Sequence, residues 1–154
     1  MTVESSIEIV PVTFNDPNVL ELIAKLDAYQ VSLYGIDQCN LDTPDQLQQS
    51  NAFALGGYSA DVLIGIGAIK LFDIYGEIKR MYIEQAYRGW GIAEKILTGL
   101  ERYAKQAGAE QVYLETGKLQ KAAIRFYQKS GYTEVEKFGH YHPNSVSIFF
   151  TKKC

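Results

Sequence analysis

The segment Arg88-Gly89-Trp90-Gly91-Ile92-Ala93 constrains this chain more than any other. It joins an apolar, strand-like run, Gly76 to Ile83, to a long amphipathic stretch from about Gly91 to Gln106. Paired glycines let the backbone turn tightly with no Cβ in the way. A helix that starts beyond them leaves free N–H groups and a partial positive charge at its first turn. Phosphate or pyrophosphate suits such a site, and Arg88 adds a cation with a rigid donor fork. The Lys-Ser/Thr pair of a Walker loop is missing. So is the third spaced Gly of a dinucleotide-binding turn near the first strand. Taken locally, a plain Gly-rich strand–helix turn explains the segment almost as well.

The elements around this loop follow from periodicity. Ile7 to Thr13 alternates and is β-branched, as a first strand does. Val19 to Val31 carries Leu20, Leu22, Ile23, Leu26 and Tyr29 at helical spacing, after a turn and cap at Asn15-Asp16-Pro17. Thr43-Pro44-Asp45 opens a second short helix. Phe53 to Tyr58 and Val62 to Phe72 read as strands joined at Ser59-Ala60-Asp61, and Gly76 to Ile83 as a fourth. Gly65 and Gly67 run on into Ala68-Ile69-Lys70 and not into a helix, which suits a bulge or a packing site. The long helix buries Ile92, Ile96, Leu100 and Tyr103 and stops at Gly108. Val112 to Glu115, a helix Ala122 to Lys129, and strands Tyr132 to Glu136 and Val146 to Thr151 complete the chain. Strand, helix, strand at these lengths implies a right-handed parallel crossover, and the earlier strands an antiparallel meander. The expectation is a mixed, three-layer α+β domain with helices on both faces of the sheet.

Composition narrows the function. The 154 residues make one domain, 1–154, without a linker or repeat. Lys and Arg total 15 against 18 Asp and Glu, a net charge of −3. A duplex-binding protein would show the opposite balance, so nucleic acid is not the expected partner. No stretch approaches the ~20 apolar residues that cross a bilayer, and the N-terminus lacks the pattern of a secretory signal. With Cys39 and Cys154 in no metal or disulfide spacing, a reduced cytoplasmic setting without membrane attachment is expected.

Arg88, Gly91 and Ala93 form Arg-x-x-Gly-x-Ala, which resembles the acyl-CoA pyrophosphate loop of the GNAT acetyltransferases. Gly76-Glu77-Ile78-Lys79-Arg80-Met81-Tyr82-Ile83 is similar to that family's fourth strand. Leu114-Glu115-Thr116-Gly117, followed by Ala123 to Tyr132 with its Phe126-Tyr127 and Gly131-Tyr132, is similar to its second motif. The close match runs from about residue 52 to 137, in the family's order. The resemblance is to small, bacterial-type, single-domain members. It implies a mostly antiparallel sheet of about six to seven strands with a parallel β–α–β core.

The resemblance also implies an activity, acetyl-CoA-dependent acetylation of an amine by direct transfer. Acetyl-CoA contacts would come from Met81, Tyr82, Ile83, the loop Arg88, Gly89, Trp90, Gly91, Ile92 and Ala93, then Gln120 and Phe126. Gln120 stands where many members carry Asn. The Met81 N–H is placed to polarise the thioester carbonyl, as a one-donor oxyanion site. Tyr127 falls at the general-acid position. Glu77 aligns with a carboxylate that serves some members as general base, with Glu84 or an ordered water as alternatives. Strict period-two alternation would put Glu77, Lys79, Met81 and Ile83 on one face of the strand and Arg80 on the other, with Lys70 as a possible cross-strand partner for Glu77.

The acceptor is less legible. In this family it binds between the first helices and the last strands, where this chain offers Tyr29, Gln30, Tyr34, Asp37, Asp42 and His140-Tyr141-His142. Tyr29, Tyr34 and His140 are the candidate substrate contacts. Tyrosines and carboxylates suit a small cationic amine. His140 and His142 lack an evident third ligand, so no metal is expected. A protein lysine or N-terminus, a non-catalytic acyl-CoA sensor and a nucleotide-binding regulatory domain are the alternative readings, and the family allows a homodimer.

Overall fold

The computed structural model describes residues 7–35, 51–139 and 146–154. In chain order these form β1 (Ile7–Val12), α1 (Pro17–Tyr34), β2 (Ala52–Ser59), β3 (Val62–Leu71), β4 (Tyr75–Ile83), a short 3-10 turn (Gln85–Tyr87), α2 (Ile92–Gln106), β5 (Gln111–Gly117), α3 (Lys121–Lys129), β6 (Thr133–Val135) and β7 (Ser147–Lys153). The helix expected at Thr43-Pro44-Asp45 lies outside the described residues, as do Asp37, Cys39, Asp42, His140, Tyr141 and His142.

The seven strands make one sheet in the order β1-β2-β3-β4-β5-β7-β6. Every neighbouring pair is antiparallel except β4 and β5. That parallel pair is joined through α2, as a crossover requires. The expected mixed α+β architecture is therefore the one observed.

Helices cover both faces. Against one face, Ile96, Leu97 and Leu100 of α2 pack on Ile64, Ile69, Ile78 and Leu114 of the sheet, and Tyr127 of α3 joins the same cluster. Against the other, Val19, Leu22 and Ile23 of α1 pack on Ala54, Ile66 and Ala68. The buried stripe of α1 is Val19, Leu22, Ile23 and Leu26, while Leu20 and Tyr29 face outward at 36% and 46% exposure. Asp16 caps this helix by accepting the Asn18 N–H at 2.9 Å, and Pro17 occupies the first helical position.

One irregularity positions everything that follows. On β3 and β4, Ala68 faces Lys79 but Ile66 faces Tyr82, so Gly67 opposes both Arg80 and Met81. This is a β-bulge, and Arg80 sits in it at φ +59°. A left-handed backbone costs an L-residue with a bulky side chain ~1–2 kcal/mol. The extra residue reverses the alternation. Before it, Ile78 points to the α2 side; after it, Met81 and Ile83 do. Tyr82 packs on the α1 side, where Arg80 pairs with Asp27 of α1. Glu77 therefore does not share a face with Met81, contrary to the alternation expected from sequence. Lys70 is the cross-strand neighbour of Glu77, but the Glu77 carboxylate is paired with Lys79 at 3.3 Å.

Gly67 is needed here because Met81 lies across it. A Cβ on Gly67 would stand 2.4 Å from Met81 Sδ and 2.7 Å from Ile96 Cγ2. Gly67→Ala is accordingly expected to destabilise the fold by ~1–3 kcal/mol through overpacking. The midpoint of urea unfolding measures it, and an unchanged midpoint would show that Met81 and Ile96 yield without cost.

Candidate active site

Just before the bulge, β4 loses its neighbour β5. Its pairing with β5 runs from Tyr75 and Gln111 to Ile78 and Leu114 and ends there. Lys79 to Ile83 and Glu115 to Gly117 then diverge, which leaves one edge of β4 without a parallel partner. The gap between the diverging strands opens into a cleft of about 420 Å³. Its walls come from four places in the chain: Leu26 and Tyr29 of α1, Met81 to Ile83 of β4, the loop into α2, and the first turns of α3.

The loop is shaped as an anion cradle. Gly89 and Gly91 have φ of +88° and +78°, and no atom lies within 4 Å of where a Cβ on either would stand. The space above them is open to a ligand that must approach the backbone. Gly91 is the N-cap of α2, and the first N–H to find a helical partner is that of Lys95, bonded to the Gly91 carbonyl at 3.2 Å. The N–H groups of the first turn are thus available at the positive end of the helix. Arg88 lines the cleft, and its Nε donates to the Ile83 carbonyl at 3.0 Å. That bond anchors the guanidinium beside the loop and ties the loop to the end of β4.

Most residues singled out in the sequence meet in this cleft. Met81, Tyr82, Ile83, Arg88, Gly89, Gly91, Ile92, Ala93, Gln120, Phe126, Tyr127 and Tyr29 all line it. Trp90 does not; it stacks edge-on against Tyr87, with ring centroids 4.8 Å apart, and braces the loop from behind. Tyr34 also lies apart. Its hydroxyl accepts the Leu119 N–H at 3.0 Å and so holds the β5–α3 connection. Gln120 precedes α3, and its Oε1 accepts the Gly117 N–H at 2.9 Å, leaving the amide nitrogen for other partners. His140 lies outside the described residues. Sequence reasoning missed Leu26, Tyr87, Glu94, Lys121, Ala122 and Ala123 on the walls. The small pair Ala122-Ala123 at the start of a helix was the one available sign that something approaches α3 closely.

Three titratable groups matter chemically. Tyr127 is 7% exposed, and burial pushes its hydroxyl well above the usual phenol range. Its ring rests on Phe126 and Tyr132, with centroids at 5.1 and 5.8 Å. Glu77 is 1% exposed on the α1 side of β4. Glu84 is held below the usual carboxylate range by its hydrogen bond from Lys25 at 2.7 Å, and it also accepts from the Tyr82 hydroxyl at 3.0 Å. Glu115 and Tyr113 alternate with Val112 and Leu114, which are buried toward α2, so both project to the face that bears Glu77. Among the described residues, no three His, Cys, Asp or Glu come together to hold a metal ion. No described helix is long and apolar enough to cross a membrane.

Comparison with known proteins agrees with this geometry. Residues 21–132 match the model of the acetyltransferase (GNAT) family. An IAA acetyltransferase of Azospirillum brasilense is 33% identical over 136 residues, which are 87% of this chain and 89% of that protein. A solved structure from Klebsiella pneumoniae, assigned as an acyl-CoA N-acyltransferase, is 35% identical and superposes with a TM-score of 0.81 over 96% of this chain and 97% of that one. The PaiA N-acetyltransferase of Thermoplasma acidophilum, solved with coenzyme A, shares the fold with a TM-score of 0.74 at 18% identity, over 97% of this chain and 99% of that one. With a diverging β4–β5 pair, a bulge at its mouth and a glycine cradle at the start of α2, the chain belongs to the GNAT acetyltransferase family and is an acyltransferase.

Proposed function

We propose that this enzyme transfers the acetyl group of acetyl-CoA directly to a primary amine of a small molecule. The convergence of the phosphate cradle, the free edge of β4 and the Tyr127 hydroxyl on one cleft carries this reading. Acetyl-CoA supplies an activated thioester. The cradle at Arg88 to Ala93 binds its pyrophosphate, and the backbone of Met81 and Ile83 holds the pantetheine arm as an added strand. The Met81 N–H donates to the carbonyl oxygen as charge grows there. The amine nitrogen forms its bond to the carbonyl carbon, the C–S bond breaks, the amine proton leaves to a base, and Tyr127 gives its proton to the departing sulfur.

Glu77 is the base in this reading, reached through water because it lies across the strand from Met81. It is the one carboxylate in the buried polar set among the described residues. Glu84 is the alternative base, with its charged form stabilised by Lys25 and Tyr82. The small-molecule acceptor is supported by the Azospirillum relative, which is named for IAA, and by Tyr29 on the α1 wall of the cleft. A cytoplasmic enzyme fits the absence of a spanning helix among the described residues.

The test is release of CoA thiol from acetyl-CoA over pools of polyamines, amino acids, aminoglycosides and lysine peptides. Turnover on a small-amine pool is expected. Turnover on the peptides alone would move the acceptor to protein. On the best acceptor, Glu77→Gln should lower kcat about tenfold with KM for acetyl-CoA nearly unchanged. An unchanged kcat would remove Glu77 from the base role.

A further inference from the structure

The bulge that presents Met81 is clamped from across the sheet. Arg80, at φ +59° and 9% exposed, forms an ion pair with Asp27 of α1. Two residues earlier on α1, Lys25 binds Glu84 at 2.7 Å, and the Tyr82 hydroxyl donates to the same carboxylate at 3.0 Å. Arg80 and Glu84 bracket the β4 residues that line the cleft, Met81 to Ile83. Between their partners on α1 stands Leu26, itself on the cleft wall, with Tyr29 one turn further.

We infer that Asp27 is a positioning residue for the acetyl-transfer step: through Arg80 it holds the β4 bulge, and with it the Met81 N–H, in register with the acceptor wall on α1. The inference rests on the acetyl-transfer reading above. The physical reason is the balance at Arg80. Its left-handed backbone is disfavoured relative to extended strand. A neighbouring side chain must over-determine such a conformation for it to persist. Asp27 does so by meeting a guanidinium that is almost wholly out of water, where a charge that loses a partner is strongly penalised. Without the carboxylate this hold on Arg80 is lost, its φ is less strongly imposed, and the Met81 N–H shifts. The pyrophosphate cradle keeps its own glycine turn, though Arg88 ties it to the Ile83 carbonyl at the end of β4.

Asp27→Ala is therefore expected to lower kcat at least about tenfold, with a several-fold rise in KM for acetyl-CoA because the backbone of Met81 and Ile83 also holds the pantetheine arm. A loss of activity through unfolding alone would leave the Met81 amide signal of the folded protein where it is. Arg80→Gly added to Asp27→Ala should bring kcat back to within about threefold of the parent. Glycine takes positive φ freely and buries no charge. The Met81 amide resonance in 15N-labelled protein reads the bulge directly. It should move in Asp27→Ala and return in the double variant. An unmoved Met81 resonance, or a loss of kcat that Arg80→Gly does not restore, would overturn the inference. Because the resonance needs no acceptor, a wild-type enzyme silent on every amine would count against the proposed function alone.

Discussion

Tyr127→Phe lowers kcat by about a hundredfold and leaves KM for acetyl-CoA within about twofold. Only an oxygen is removed. The ring keeps its contacts with Phe126 and Tyr132 in the α2-side core, so folding is not at issue. What disappears is the proton donor for the leaving sulfur, a role of ~10²–10⁴ in rate for a well-placed acid. In water, a phenol raised above its ordinary ~10 is a weak acid beside a thiol of ~8.5. The comparison must be made inside the cleft, however. The same burial that lifts Tyr127 lifts the basicity of a thiolate forming beside it. The proton thus passes between two groups displaced in the same direction. The sign of the shift fixes the pH behaviour as well. A raised value keeps Tyr127 protonated as pH rises, so no alkaline fall in wild-type kcat from this residue occurs below about pH 10. The wild-type and Phe profiles should run parallel from about pH 6 to 9, offset by the hundredfold factor. A Phe variant with wild-type kcat on the true acceptor would end the general-acid assignment.

What could be read from sequence divides by range. The cradle was legible because its physics is local: glycines, a following helix and an arginine within six positions. The order of elements was legible because each has its own periodicity. The faces of β4 were not. Alternation assumes an unbroken pleat, and the bulge sits on Arg80, a residue type that gives no hint of positive φ. The nearest hint is Gly67, on the other strand, and it acquires meaning only once the register is known. The ties that brace the cleft were hidden for the same reason. Asp27 and Arg80 are 53 residues apart, and Tyr34 and Leu119 are 85 apart. Tyr34 is a candidate substrate contact by its place among the first helices, and in the fold its hydroxyl accepts a backbone N–H. Side chains that hold a site and side chains that touch a ligand look alike in sequence, since both are polar groups near the right motif.

The second large effect concerns the cradle, and Gly91→Asp isolates it. At φ +78° most side chains would strain the turn, but Asp and Asn tolerate this region better than others. A carboxylate at the N-terminal end of α2 also agrees with the helix dipole. The Cβ meets nothing within 4 Å. The variant should therefore fold with only a modest loss of stability, ~1 kcal/mol. Its carboxylate, however, competes for the N–H groups proposed to hold pyrophosphate, and it repels that group at ~5 Å. With an effective dielectric of ~40 for a half-open site, each pair of like charges costs ~1.7 kcal/mol, and two phosphate charges make ~3 kcal/mol. KM for acetyl-CoA should rise roughly a hundredfold, with kcat at saturation almost unchanged because the acetyl end is bound elsewhere. Gly91→Asn has the same shape without the charge, so its KM should stay within about twofold of the parent. Added salt should narrow the gap between the two variants, since the charges face solvent. Equal KM values for Asp and Asn would mean that the phosphates do not sit at the start of α2, and the cofactor would have to enter the cleft from its α3 side, past Lys121.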